Sequence, residues 1–210
     1  MKISEQKIHL MLLIIGVLVF IWSFIDHRLT FGWVLLSAPV VIVTVFFVLT
    51  YKRFTYTTLV YFIGFLWACL LLWGAKYTYT YVPFFEYLTD VFGWSRNHFD
   101  RFTHFAQGFV PYMIFREYLF RKGVLNQKKI TNLVLFLMVL GFSATWELIE
   151  FSASILSGRS QSFILDMQGD IWDTQMDMLF ALIGAITSSL VLGNFHLKQI
   201  VSKTSSDSRI

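Results

Sequence analysis

Charge is the first thing this chain lacks. Only 14% of its 210 residues are Asp, Glu, Lys or Arg, where a soluble domain carries about 25%. That deficit excludes an ordinary water-soluble globule. A single cysteine, Cys69, excludes an intrachain disulfide. It sits inside an apolar run and reads as a packing residue. Three prolines and no Gly/Ser-rich stretch leave nothing to serve as an interdomain linker, so one domain is expected. H-E-x-x-H, G-x-S-x-G and a P-loop are all missing, which removes the zincin, nucleophile-elbow and Walker-type readings. The formal charge of +4 is small, and it reads as a topology signal rather than a nucleic-acid footprint.

What is present is apolar. Hydrophobic residues make up 56% of the chain and aromatics 19%, with a mean hydropathy of +0.63. Runs of spanning length lie near 8–25, 31–50, 56–74, 102–120, 131–156 and 173–195. They predict an all-α, polytopic transmembrane bundle of about six spans. No A-x-A-like cleavage site precedes Asp26, so the first run reads as a retained helix. The aromatic stretch Tyr77 to Phe99 is too polar to span and is expected to be an ordered cap at headgroup level. Pro111 should kink the fourth span near Gln107-Gly108. Residues 203–210 are expected to be a disordered tail. An even number of spans puts both termini on one side. Of the 17 Lys and Arg residues, that arrangement leaves Arg28, Lys76, Arg96, Arg101 and Arg159 on the other side. The bias predicts cytoplasmic termini.

Polar groups in these spans are spaced to share faces. Asp100, His104 and Gln107 open the fourth helix at intervals of four and three. Ser143, Glu147, Glu150 and Ser154 line one side of the fifth. Asp170, Asp173 and Asp177 open the sixth, and their face continues through Ala181, Gly184 and Ser188, a small-residue strip suited to close helix contact. Ionisable groups inside a span are costly, about 2.5–3.5 kcal/mol each on insertion scales, and by default they mark a site. Asp100, His104, Glu147, Asp173 and Asp177 form an oxygen-rich donor set suited to Mg²⁺, Mn²⁺ or Zn²⁺. His104, Glu147, Glu150 and Asp177 are the candidates for acid–base chemistry. Arg96, Arg101 and Arg159 stand at headgroup height as candidates for binding a phosphate or carboxylate. Against these stands a plainer account. Asp100, Asp170 and Asp173 suit helix starts electrostatically, and the deeper groups can be a packing network. His9, His98 and His196 read as interfacial, and Tyr77, Tyr79, Trp146 and Trp172 as an interfacial belt.

The strings KYTYTYVPF, SRNHFDRFTHFAQGFVP, ATWELIEF and QGDIWDTQMDMLFALIGA resemble the uncharacterised bacterial inner-membrane proteins of the YjdF type, from about Lys76 to Ala185. The layout is similar, more distantly, to VanZ-like membrane proteins. That likeness rests on Asp100, His104-Phe105, Glu147 or Glu150, and Asp173 or Asp177. Where VanZ-like proteins usually have an Asn near the last Asp, this chain has Gln175 and Asp177. Their association with glycopeptide resistance is therefore not carried over. The resemblance implies a multi-pass protein of the bacterial inner membrane.

The expected function is a polar His/carboxylate site at the outer leaflet, with a divalent metal as its candidate cofactor, that binds or acts on a lipid or lipid-linked headgroup. Membrane lipids are then its partners, and nucleic acid is not. The alternatives are a cation- or proton-coupled transporter or channel, and a scaffold without chemistry.

Overall fold

The computed structural model describes residues 4–124, 128–157 and 168–207. Among these residues there are eight helices and no strand: α1 (Glu5–Phe24), α2 (Thr30–Thr50), α3 (Thr58–Tyr77), α4 (Pro83–Phe92), α5 (Phe99–Arg121), α6 (Lys128–Ser157), α7 (Asp173–Val191) and α8 (Gly193–Asp207). The protein is an all-helical polytopic bundle. By length and composition α1, α2, α3, α7 and residues 130–156 of α6 can cross a membrane. Their outward faces carry Leu10, Val17, Leu18, Val41, Val45, Leu49, Leu133 and Leu137, all well exposed. In water such a surface would aggregate, and in hydrocarbon it is the ordinary state.

α5 is too polar to pass on composition, yet it has spanning length. At one end the α5 residue Glu117 accepts hydrogen bonds from Thr57, which precedes α3. At the other, Phe99 packs against Trp73 near the end of α3 and against Tyr79 just beyond it. α5 therefore runs antiparallel to α3 over its whole length, and a membrane that α3 crosses is crossed by α5 too. Its polar groups are tolerated because neighbours cover them: Asp100, His104, Gln107 and Glu117 are all buried. The helix continues through Pro111.

The tightest helix contact is between α5 and α7, which run parallel. Glycine makes it possible. A Cβ on Gly108 would lie 1.7 Å from the Ala181 carbonyl oxygen, and one on Gly184 would lie 1.9 Å from that of Phe105. α6 returns between them in the opposite direction. Tyr112, Met113, Leu135, Val139, Ala181 and Ala185 fill the space where the three meet.

Two expectations differ from the structure. The last span ends at Val191, and a new helix starts at Gly193 instead of continuing to Phe195. Residues 203–207, expected to be free, are helical. Ile200 and His196 are fully buried, Lys203 pairs with Glu5 at 2.9 Å, and the hydroxyls of Thr204 and Ser205 bond carbonyls one turn back. These contacts hold a segment whose composition alone reads as loose. The cap is ordered, as α4, with no buried residue and an exposed apolar side that includes Phe84, Tyr87 and Phe92. That is the form of a helix lying in an interface.

Candidate functional site

Because α5 and α7 are parallel and touch backbone to backbone, their first turns lie side by side. Asp100 and His104 of α5 therefore face Asp173 and Asp177 of α7. α6 arrives at the same end and adds Ser143, Glu147, Glu150 and Ser154. All eight of these residues are buried. Three faces that are far apart in the chain meet at one end of the bundle.

Donor atoms of Asp100, His104 and Asp177 all lie within 4.8 Å of one another. His104 Nε2 is 3.5 Å from Asp100 Oδ1 and 3.8 Å from Glu147 Oε1. These are loose for hydrogen bonds. Ligand atoms around an ion with bonds of about 2.0–2.2 Å sit about 3–3.5 Å apart, so the His104–Asp100 pair is at ligand spacing and the wider members of the set would draw in around a shared cation. Among the described residues, Asp177 Oδ1, Glu147 Oε1 and Ser143 Oγ are buried without a hydrogen-bond partner. Two helix starts with their positive dipole ends also converge here, which favours the acids. Neither α5 nor α7 has a side-chain cap.

A layer of arginine pairs lies one turn outward. Arg96 Nη1 bonds Asp173 and reaches Asp170 at 3.2 Å, while Arg101 Nη2 bonds Asp170. The plainer account of Asp170 and Asp173 as acids complementing a helix start is thus only part of their role. The Trp172 backbone N–H, together with the guanidinium groups of Arg101 and Arg96, holds the Asp170 carboxyl below the usual carboxylate range. Burial, with Arg101 and Arg96 nearby, lowers the pKa of His98 from its ordinary value. Gln168 clamps this layer to the cap by bonding the Asn97 backbone N–H at 2.8 Å and its carbonyl at 3.0 Å. A pocket of about 460 Å³ opens beside it, lined by Thr80, Glu86, Asp90, Arg96 and Asn97 among others. Arg159 lies outside the described residues.

Sequence reasoning missed a second buried polar centre at the opposite end. Glu117, fully buried, accepts from the Thr57 N–H and Oγ1 (both 2.8 Å) and from Arg121 Nη1 (3.1 Å), and lies 3.0 Å from His196 Nε2. His196, which reads from the sequence as an interfacial residue, is fully buried against Glu117. His9 is also buried, between Tyr51 (2.7 Å) and Thr58 (3.0 Å). Tyr79 packs under the cap and is no part of a belt. The one available signal was a glutamate deep in an apolar run with arginine four residues on. A further groove of about 640 Å³, between α1, α2 and α3, is almost wholly apolar and separate from the cluster.

Buried ionisable groups shared by three spanning helices define a multi-pass membrane protein with an enclosed polar site. Comparison places it further: the profile of the family described as "Predicted membrane protein (DUF2238)" matches residues 8–199, and the chain belongs to that family. The inner membrane protein YjdF of Escherichia coli (strain K12) is 37% identical over 183 residues, covering 87% of this chain and 88% of that protein. No solved structure matches the chain.

Proposed function

We propose that the cluster at the start of α5 and α7 is a divalent-metal centre at the outer leaflet, where the protein binds or acts on the headgroup of a lipid or lipid-linked molecule. The observation that carries this reading is the meeting of Asp100, His104 and Asp177 donors inside a membrane bundle, with Glu147 beside the same imidazole. Five buried carboxylates (Asp100, Glu147, Glu150, Asp173 and Asp177) share this end with two buried cations among the described residues, Arg96 and Lys76. A divalent cation would offset that imbalance. Mg²⁺, Mn²⁺ and Zn²⁺ all accept such donors. Asp100, His104 and Asp177 would hold the ion, and Glu147 or Glu150 would take or give a proton at its edge. The interfacial form of α4 and its pocket support a substrate approaching at headgroup level.

A relay across the membrane has less support. Between this cluster and Glu117 the buried side chains Val110, Met113, Ala181 and Ala185 carry no proton or ion, and the polar groups among them, Gln107, Ser188 and Tyr112 with Asn132 and Ser189, include no carboxylate or imidazole.

The test is metal content. Purified protein, loaded with Mn²⁺ and desalted, should retain about one ion per chain by elemental mass spectrometry. His104→Ala and Asp177→Asn should each lose it while keeping the wild-type elution profile. Wild-type protein that retains no ion from Mn²⁺, Zn²⁺ or Mg²⁺ sinks the metal reading.

A further inference from the structure

Arg96 is 93% buried by its 7% exposure, yet it uses only part of its donor set. Its Nη1 serves Asp173 and Asp170, while Nε and Nη2 have no hydrogen-bond partner among the described residues. Nε–H and Nη2–H form one edge of the planar guanidinium, the edge that grips two oxygens of a phosphate or carboxylate in parallel. Leaving two such donors buried and idle is costly, the more so in a charged group. A side chain present only to pair with Asp173 would have no need of a buried arginine fork.

The position of that edge narrows its partner. Asp173 and Asp177 are one helical turn apart, so Arg96 sits about 5–6 Å outward of the Asp100/His104/Asp177 donors. The 460 Å³ pocket borders Arg96 on the cap side and is large enough for a headgroup-sized ligand, although Glu86 and Asp90 also line it. An anion alone would meet the five carboxylates of the cluster and these two as well. An anion bridging the arginine edge and a cation would instead be held from both sides. A phosphate suits this best, because it has oxygens to spare for both partners after the guanidinium has taken two.

We propose that Arg96 and the metal cluster together form one site for a phosphate group, free or esterified in a headgroup, and that cation and phosphate bind cooperatively. This rests on the metal reading above. It adds a ligand class, a residue that selects it and a coupling between two ligands. Linkage makes the coupling reciprocal: a phosphate that tightens the cation is itself tightened by it.

The experiment titrates Mn²⁺ into detergent-solubilised protein and counts free Mn²⁺ by its electron paramagnetic resonance signal. The titration is run alone, with inorganic phosphate, and in mixed micelles containing phosphatidic acid or, as control, phosphatidylcholine. Protein-free blanks correct for Mn²⁺ bound by the additives. The inference expects phosphate or phosphatidate to lower the apparent Kd for Mn²⁺ about tenfold, within the usual range of coupling. An effect of phosphatidate alone identifies a lipid headgroup, and an effect of inorganic phosphate alone identifies a free anion. Arg96→Lys keeps a cation beside Asp173 but lacks the fork, and should lose the enhancement, read as the ratio of its own Kd for Mn²⁺ with and without the anion. If that variant does not fold, the wild-type titrations decide alone. Mn²⁺ bound equally tightly in every condition overturns this inference and leaves the metal reading standing. No Mn²⁺ binding in any condition overturns both.

Discussion

At the scale of single residues, the two buried polar centres differ in how completely they are satisfied. Glu117 has a donor for each oxygen: Thr57 twice, Arg121, and His196 beside it. Both carboxylate oxygens are satisfied, as expected of a group whose role is to hold α3, α5 and α8 together, and of this centre only His196 Nδ1 is buried without a partner among the described residues. The acids at the other end face one another across short distances and leave oxygens unpartnered. Removing one partner of a satisfied buried pair costs about 3–5 kcal/mol, because the others remain charged and unpaired. Neutralising one member of a crowded set of like charges relieves repulsion instead. In metal-free protein, Glu117→Gln should therefore lower the melting temperature in detergent by several degrees. Glu147→Gln, Glu150→Gln and Asp177→Asn should hold or raise it. Should all four cost the same, the acids at the α5 and α7 starts are packing groups, and the scaffold reading replaces the site.

At the scale of helices, the α5–α7 contact decides whether those side chains meet at all. Gly184 lies against the Phe105 carbonyl and Gly108 against Ala181, so any larger residue must push the backbones apart. Gly184→Leu should destabilise the bundle by at least about 1–3 kcal/mol, the usual cost of overpacking. It should also abolish Mn²⁺ retention, because Asp177 sits two turns away on the same face. A variant with wild-type melting temperature and wild-type metal content would show that the contact does not position the cluster. This strip was legible in the sequence, and so were the acid faces, because helical period alone puts residues three and four apart on one side. Period says nothing of what a face meets. The pairing of Arg96 with Asp173, and of Glu117 with Thr57 and His196, joins residues more than fifty positions apart. No spacing rule reaches that far. The break at Leu192 was equally hidden, since Val191 to Phe195 stays apolar enough to read as one continuing span. Only the packing of His196 against Glu117 shows that the chain has turned.

At the scale of the whole molecule, the structure sorts the charges by end. Lys203 meets Glu5, so the described chain starts and finishes at the same end as Glu117, opposite the carboxylate cluster. The described cations at the cluster end are already engaged. Arg96 and Arg101 pair with aspartates, Arg28 stacks on the Tyr81 ring at 4.1 Å, and Lys76 bonds the Ile25 carbonyl under the cap. At the other end Lys52, Arg53 and Lys122 approach the surface with no acid partner among the described residues. The positive-inside rule counts Lys and Arg whatever they pair with, so it rests on the distribution of these residues between the two ends. On that rule the termini are expected inside and the cluster at the outer face, as proposed above. Single-cysteine labelling in a Cys69→Ala background tests this directly. Asp90→Cys, in the exposed cap, should react with a membrane-impermeant maleimide on intact cells. Val124→Cys, 60% exposed just after α5, should react only once the membrane is opened. The reverse pattern would place the cluster on the cytoplasmic side. Its headgroups would then be those of the inner leaflet, and the outer-leaflet assignment would be withdrawn.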